Sequence, residues 1–137
     1  MSRLKKTKQE KIQLPGEIVL KDDTEVRVLT RSESWTTRAK ALGEYWRANE
    51  TQLAKIKINT DRNIDEVLDT VLHEILHACF DSYGLTMPAK KEEKIVTELS
   101  HGLTDALIHT KGLARFISRS VTAHRKAEKE RNKQQNE

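Results

Sequence analysis

The run Val67-Leu68-Asp69-Thr70-Val71-Leu72-His73-Glu74-Ile75-Leu76-His77-Ala78-Cys79-Phe80 decides how the rest of the chain is read. Its apolar residues, together with Ile64, recur at spacings of one, three and four. That pattern predicts a helix with a broad apolar face. Asp61 or Asn63 stands where an N-cap is needed, and Asp65 and Glu66 suit the positive end of the helix dipole. Tyr83-Gly84 supplies the stop, since glycine is favoured just past a helix end. Inside this helix His73 and His77 are one turn apart on one face. Two imidazoles so placed can converge on a single metal ion. Glu74 projects about 100° round the helix from His73, beside such an ion rather than onto it.

The spacing carries chemistry. H-E-x-x-H offers two metal ligands and a carboxylate general base for an activated water. A catalytic zinc takes three protein ligands and keeps one position for water, so one more ligand is needed. Candidates open the next helical stretch, predicted from about Ala89 to Ile108. Its apolar stripe reads as Ile95, Val96, Leu99, Leu103, Ala106 and Leu107. At about 100° per residue, Glu92 lies in line with Val96, Leu99 and Leu103, and Glu93 sits toward the edge. A carboxylate in line with a core face is costly unless a cation or donors receive it. Glu92 is therefore the expected third ligand and Glu93 the alternate. His101 and His109 are too far along that helix, and His124 lies in the charged tail.

Neighbouring residues have weaker claims. Cys79 is about 200° round from His77 and reads as a small buried apolar residue. Asp81, one turn past His77, is placed either to accept a hydrogen bond from a ligand imidazole or to sit on the surface. Thr70 is a further supporting candidate, and Tyr83 a candidate donor to an oxyanion.

Outside the motif, Pro15-Gly16 marks a turn. Glu17–Leu20 and Glu25–Leu29, joined through Asp22-Asp23, read as a β-hairpin. Ser32 or Ser34 is placed to cap a short helix through Arg38, Ala39 and Leu42, ended by Gly43. Tyr45 and Trp46 read as core or sheet packing in preference to substrate contact. Leu53–Asn59 alternates apolar and polar, with Ile56 and Ile58 inward, and is expected to pair with the hairpin. Leu113–Val121 reads as a short amphipathic piece before a charged tail. Together these predict an α+β fold. A three-stranded, mainly antiparallel sheet packs on the motif helix and a second long helix, with charged N- and C-terminal extensions. The expected division is a basic, disordered segment 1–14, a folded domain 15–120 and a charged tail 121–137.

Composition narrows the setting. The 137 residues are 36% hydrophobic and 34% charged, which predicts one domain with a modest core. The formal net charge is +4. Arg3, Lys5, Lys6, Lys8 and Lys11 at one end, and the basic residues of the tail, make weak nucleic-acid contact through the ends an expectation beside plain solvation. A single cysteine excludes an internal disulfide and suggests a reducing compartment. No apolar run reaches a membrane span, and the basic N-terminus, without an apolar h-region, is not expected to be a secretory signal.

Four segments taken together resemble a known family. They are Gly43-Glu44-Tyr45, Ile56-Lys57-Ile58, Asp69 to Ala78, and Glu92-Glu93-Lys94-Ile95-Val96. The chain resembles the small zincin-like metallopeptidase domains of phages and prophages, of the gluzincin type. The likeness spans about residues 40–108. It implies Zn²⁺ held by His73, His77 and Glu92, with Glu74 as catalytic base; the doubled glutamate leaves the third position open by one residue. It also implies a peptide or protein substrate and the cytoplasm of a bacterial host. The competing expectation is a metal-stabilised regulatory or nucleic-acid-binding module without catalysis.

Overall fold

Alternation in Ala54–Asn59 puts Ala54, Ile56 and Ile58 on one side of a strand, and burial follows it: these three side chains are 4%, 1% and 0% exposed. The computed structural model describes residues 12–20, 24–31 and 42–136. Among them are strands β1 (Glu17–Val19), β2 (Glu25–Arg31), β3 (Gly43–Trp46) and β4 (Ala54–Asn59). Three helices follow: α1 (Ile64–Ser82), α2 (Ala89–His109) and α3 (Leu113–Gln135).

β1 and β2 form the expected antiparallel hairpin, with Ile18 opposite Val26. β4 pairs with that hairpin, but it runs parallel to β2, with Val28 opposite Ile56 and Thr30 opposite Ile58. β3 then pairs antiparallel with the other side of β4. The sheet is thus four-stranded and mixed, in the order β1-β2-β4-β3, which corrects the expected three-stranded, mainly antiparallel arrangement. A parallel neighbour needs a crossover connection. The chain between β2 and β4 makes it and lays down β3 on the way. Gly43, expected to end a helix, instead opens this edge strand. The short helix expected through Arg38 falls on residues 32–41, which lie outside the described residues, as does most of the basic N-terminal segment.

The core lies between sheet and α1. Val26, Ile56 and Ile58 meet Val67 and Ala78. Burying each of the larger of these side chains contributes about 1.5–3 kcal/mol. Asn63 is the N-cap of α1, although its side chain makes no capping bond. The C-terminus closes as the Tyr83-Gly84 signal predicts. Gly84 takes φ +68°, Leu85 N–H donates to Phe80 C=O at 2.8 Å, and Gly84 N–H to Asp81 C=O at 3.2 Å. These two bonds satisfy carbonyls that a helix end otherwise leaves unpaired.

α2 runs back along α1, burying Val96, Ser100 and Thr104. Leu99 and Leu103, read from sequence as core, are 47% and 45% exposed. The short amphipathic piece and the charged tail form one helix, α3, which buries none of its residues. None of the helices, among the described residues, is long and apolar enough to cross a membrane.

Candidate metal centre

α1 carries Asp69, His73 and His77 at successive turns, and α2 carries Glu93, Thr97 and His101 in the same way. The helices run in opposite directions, so the two rows face each other. Glu93 meets both motif imidazoles, at 3.1 Å from His73 Nε2 and 2.8 Å from His77 Nε2. The two Nε2 atoms are 3.2 Å apart. Ligand atoms of His73, His77 and Glu93 all lie within 4.8 Å of one another, close enough to hold one metal ion.

The chemistry of this group favours a cation. Two imidazole nitrogens and a carboxylate are the donor types that suit a divalent ion such as zinc. Donor atoms around a small tetrahedral ion with bonds of about 2.0 Å lie about 3.3 Å apart. The observed separations of 2.8 to 3.2 Å are close to that spacing.

Of the doubled glutamate, the alternate residue Glu93 and not Glu92 joins the two Nε2 atoms. Glu92 Oε2 lies 2.7 Å from Nδ1 of His77, on the side of the ring away from the cluster. With the proton on Nδ1, Glu92 accepts it and Nε2 is turned toward the cluster, an arrangement that orients histidines at metal sites. The reason is which residues α2 buries. Relative to Val96, Ser100 and Thr104, Glu93 is about 20° from the midline and Glu92 about 80° off it. The stripe marked by Leu99 and Leu103, which are exposed, is the one that lies in line with Glu92.

Glu74 is buried beside the cluster, 5% exposed. Burial pushes its carboxyl up from 4.5 to about 7; the charge of His77 opposes this, and those of Glu93 and Glu44 reinforce it. Burial also lowers the pKa of His73, against the pull of Glu93. The thiol of Cys79 is raised by burial and its side chain is half-buried.

Gly43 lets this helix approach β3. A Cβ there would stand 2.6 Å from Thr70 Cγ2, 3.0 Å from Lys57 O and 3.2 Å from Glu74 Cγ. Beside this contact lies a cavity of about 700 Å³, lined by β3 and Arg47, by His73, Glu74 and His77 of α1, and by Glu92 and Glu93 of α2. A smaller space of about 270 Å³ lies on the other side of Glu74, lined in part by Leu42, Thr70 and His101.

Several supporting residues differ from expectation. Asp81 does not serve a ligand imidazole. It accepts a hydrogen bond from Tyr45 Oη at 2.8 Å and pairs with Arg47 at 3.2 Å, tying β3 to the end of α1. Burial first, then this bond, raises the Tyr45 phenol well above its usual range. Thr70 Oγ1 donates to Glu66 C=O at 2.7 Å, within its own helix. Tyr83 is 54% exposed and outside the cavity lining. His101, set aside as a ligand, pairs with Asp69. That pair was readable only from facing rows on two helices.

Comparison of the chain with protein-family models, with curated proteins and with solved structures found no match.

Proposed function

We propose that the protein is a zinc-dependent peptide hydrolase of the zincin type, with His73, His77 and Glu93 as ligands and Glu74 as general base. The carrying observation is the convergence of those three donor groups in an open cavity, with a buried carboxyl next to them. The resemblance of the H-E-x-x-H helix to phage and prophage metallopeptidases points the same way, and with it a bacterial cytoplasm. Zinc, when bound, polarises a carbonyl and lowers the pKa of water.

The chain supplies the rest. Glu92 fixes the tautomer and tilt of His77. Glu74, whose carboxylate a neighbouring dication favours, takes the proton from the attacking water and returns it to the leaving amine. β3 is a sheet edge and lines the cavity, whereas β4 is paired on both sides. An extended peptide adding to β3 by main-chain hydrogen bonds would lie across the cluster. Trp46, held under Lys55 and Lys57 at 4.9 and 5.1 Å, offers it an apolar wall.

The test is a zinc-binding measurement with hydrolysis of a mixed peptide library by the wild type and Glu74→Gln. The expected result is near-stoichiometric zinc in both and a loss of about 10²–10⁴-fold in rate for the variant. Equal rates would reject Glu74 as base. Zinc without turnover in either protein would favour the non-catalytic, metal-stabilised module.

A further inference from the structure

We infer that α3 is a docking rail for nucleic acid, reading the phosphate backbone with one row of cations. The helix carries Arg115, Arg119, Arg125, Lys126, Lys129, Arg131 and Lys133 against only Glu128 and Glu130. The rest of the chain between residues 12 and 112 has the opposite balance, with thirteen Lys and Arg against seventeen Asp and Glu. Positive charge is therefore concentrated in the first eleven residues and on α3, an exposed helix that makes little contact with the rest of the fold.

Its arrangement is more telling than its amount. Arg115, Arg119, Lys126, Lys129 and Lys133, with Thr122 between them, fall at alternating spacings of four and three. On a helix that spacing keeps them within an arc of about 80° over a length of about 27 Å. No acidic residue lies inside the arc; Glu130 borders it and Glu128 faces away. From Ala114 to Asn136 every residue is exposed, so the row is available along its length. A straight row of like charges this long matches a polyanion rather than a single acidic group. Duplex DNA presents one strand's charges about every 3.4 Å along its axis, and its major groove is wide enough to take a helix.

The other surface such a helix can serve is an anionic membrane. A membrane-surface helix keeps an apolar face opposite its cations. Here Phe116, Ile117 and Val121 provide one only in the first part of α3. Past Val121 the corresponding side holds His124, Glu128, Arg131 and Gln135. The cation row continues where the apolar face has ended, which favours phosphate over lipid.

The experiment uses the full chain, a fluorescent random-sequence DNA duplex and binding measured across a salt series. Five phosphate contacts predict a slope near −4.5, or roughly a 500-fold loss of affinity between about 50 and about 200 mM salt. Two variants of equal charge change separate the row from bulk charge. Lys126→Gln with Lys133→Gln removes two row cations and should flatten the slope by about 1.8. Arg125→Gln with Arg131→Gln removes two cations off the row and should change the slope by less than half as much. Far-UV circular dichroism checks that both keep their helix. Equal slopes for the two variants, or no duplex binding at the lowest salt, overturn the inference. Binding to phosphatidylserine vesicles that Phe116→Ser abolishes, with the duplex unable to compete, overturns it in favour of a membrane.

Discussion

Glu74→Gln should make the metal-free protein more stable while removing its proposed chemistry. The wild-type carboxyl is raised from 4.5 to about 7 because it is desolvated. A raised carboxyl pKa means that folding disfavours the ionised form. Nothing is lost well below pH 4.5, and the loss grows through the interval up to about 7 and is complete above it. The interval corresponds to about 3 kcal/mol. Glutamine has nearly the same shape and cannot ionise, so the variant escapes that cost. At about pH 8 it should exceed the wild type by about 3 kcal/mol, or roughly 10 °C in melting temperature. At about pH 5 the gap should shrink below about 1 kcal/mol.

The assay is urea unfolding of both proteins in chelator at the two pH values. Zinc then provides an internal control, because a nearby dication favours the carboxylate. Saturating zinc should narrow the gap at about pH 8. A variant no more stable than wild type at the higher pH, or a gap of the same size at both, would refute the burial argument for Glu74.

Glu93→Ala should weaken zinc binding far more than Glu92→Ala, for which about 10–100-fold is expected from loss of support to His77; a chelator competition titration reads both, and the reverse order would return the ligand role to Glu92. Gly43→Ala should cost about 1–3 kcal/mol, because Lys57 O is backbone and cannot move aside as a side chain can; denaturant unfolding measures it, and a neutral result would mean that β3 and α1 separate easily. Tyr45→Phe should cost about 1 kcal/mol by removing the bond to Asp81 with zinc affinity unchanged, and a parallel loss of zinc binding would show that Asp81 supports the cluster after all.

Much of the fold was readable because its signals are local. The α1 helix has an apolar period, acidic residues at its start and glycine at its end, and all three act where the sequence shows them. The β1–β2 hairpin and β4 alternate over enough residues to reveal a face. β3 has four residues, begins with glycine and contains two aromatics, which is too short for a period to stand out. The parallel pairing of β2 and β4 is set by the path of a connection, and no pattern within either strand distinguishes it. α3 was foreseen only as far as Val121, where its apolar residues end. Beyond that point its helix rests on residues such as Ala, Lys, Glu, Arg and Gln, whose preference is intrinsic rather than periodic.

The placement of Glu92 and Glu93 shows where reading periodicity goes astray. Choosing Glu92 assumed that the largest apolar residues of α2 mark its buried face. At a close contact between two helices the opposite holds, because small side chains let the backbones approach. α2 presents Val96, Ser100 and Thr104 to that contact and leaves Leu99 and Leu103 outside. Once the face is defined by those small residues, Glu93 falls on its midline and Glu92 on its flank. The same rotation that brings one carboxylate to both Nε2 atoms takes the other to Nδ1 of His77, so a doubled glutamate supplies both the candidate ligand and the group that aims its neighbour. A single glutamate at either position would leave one of those two jobs undone.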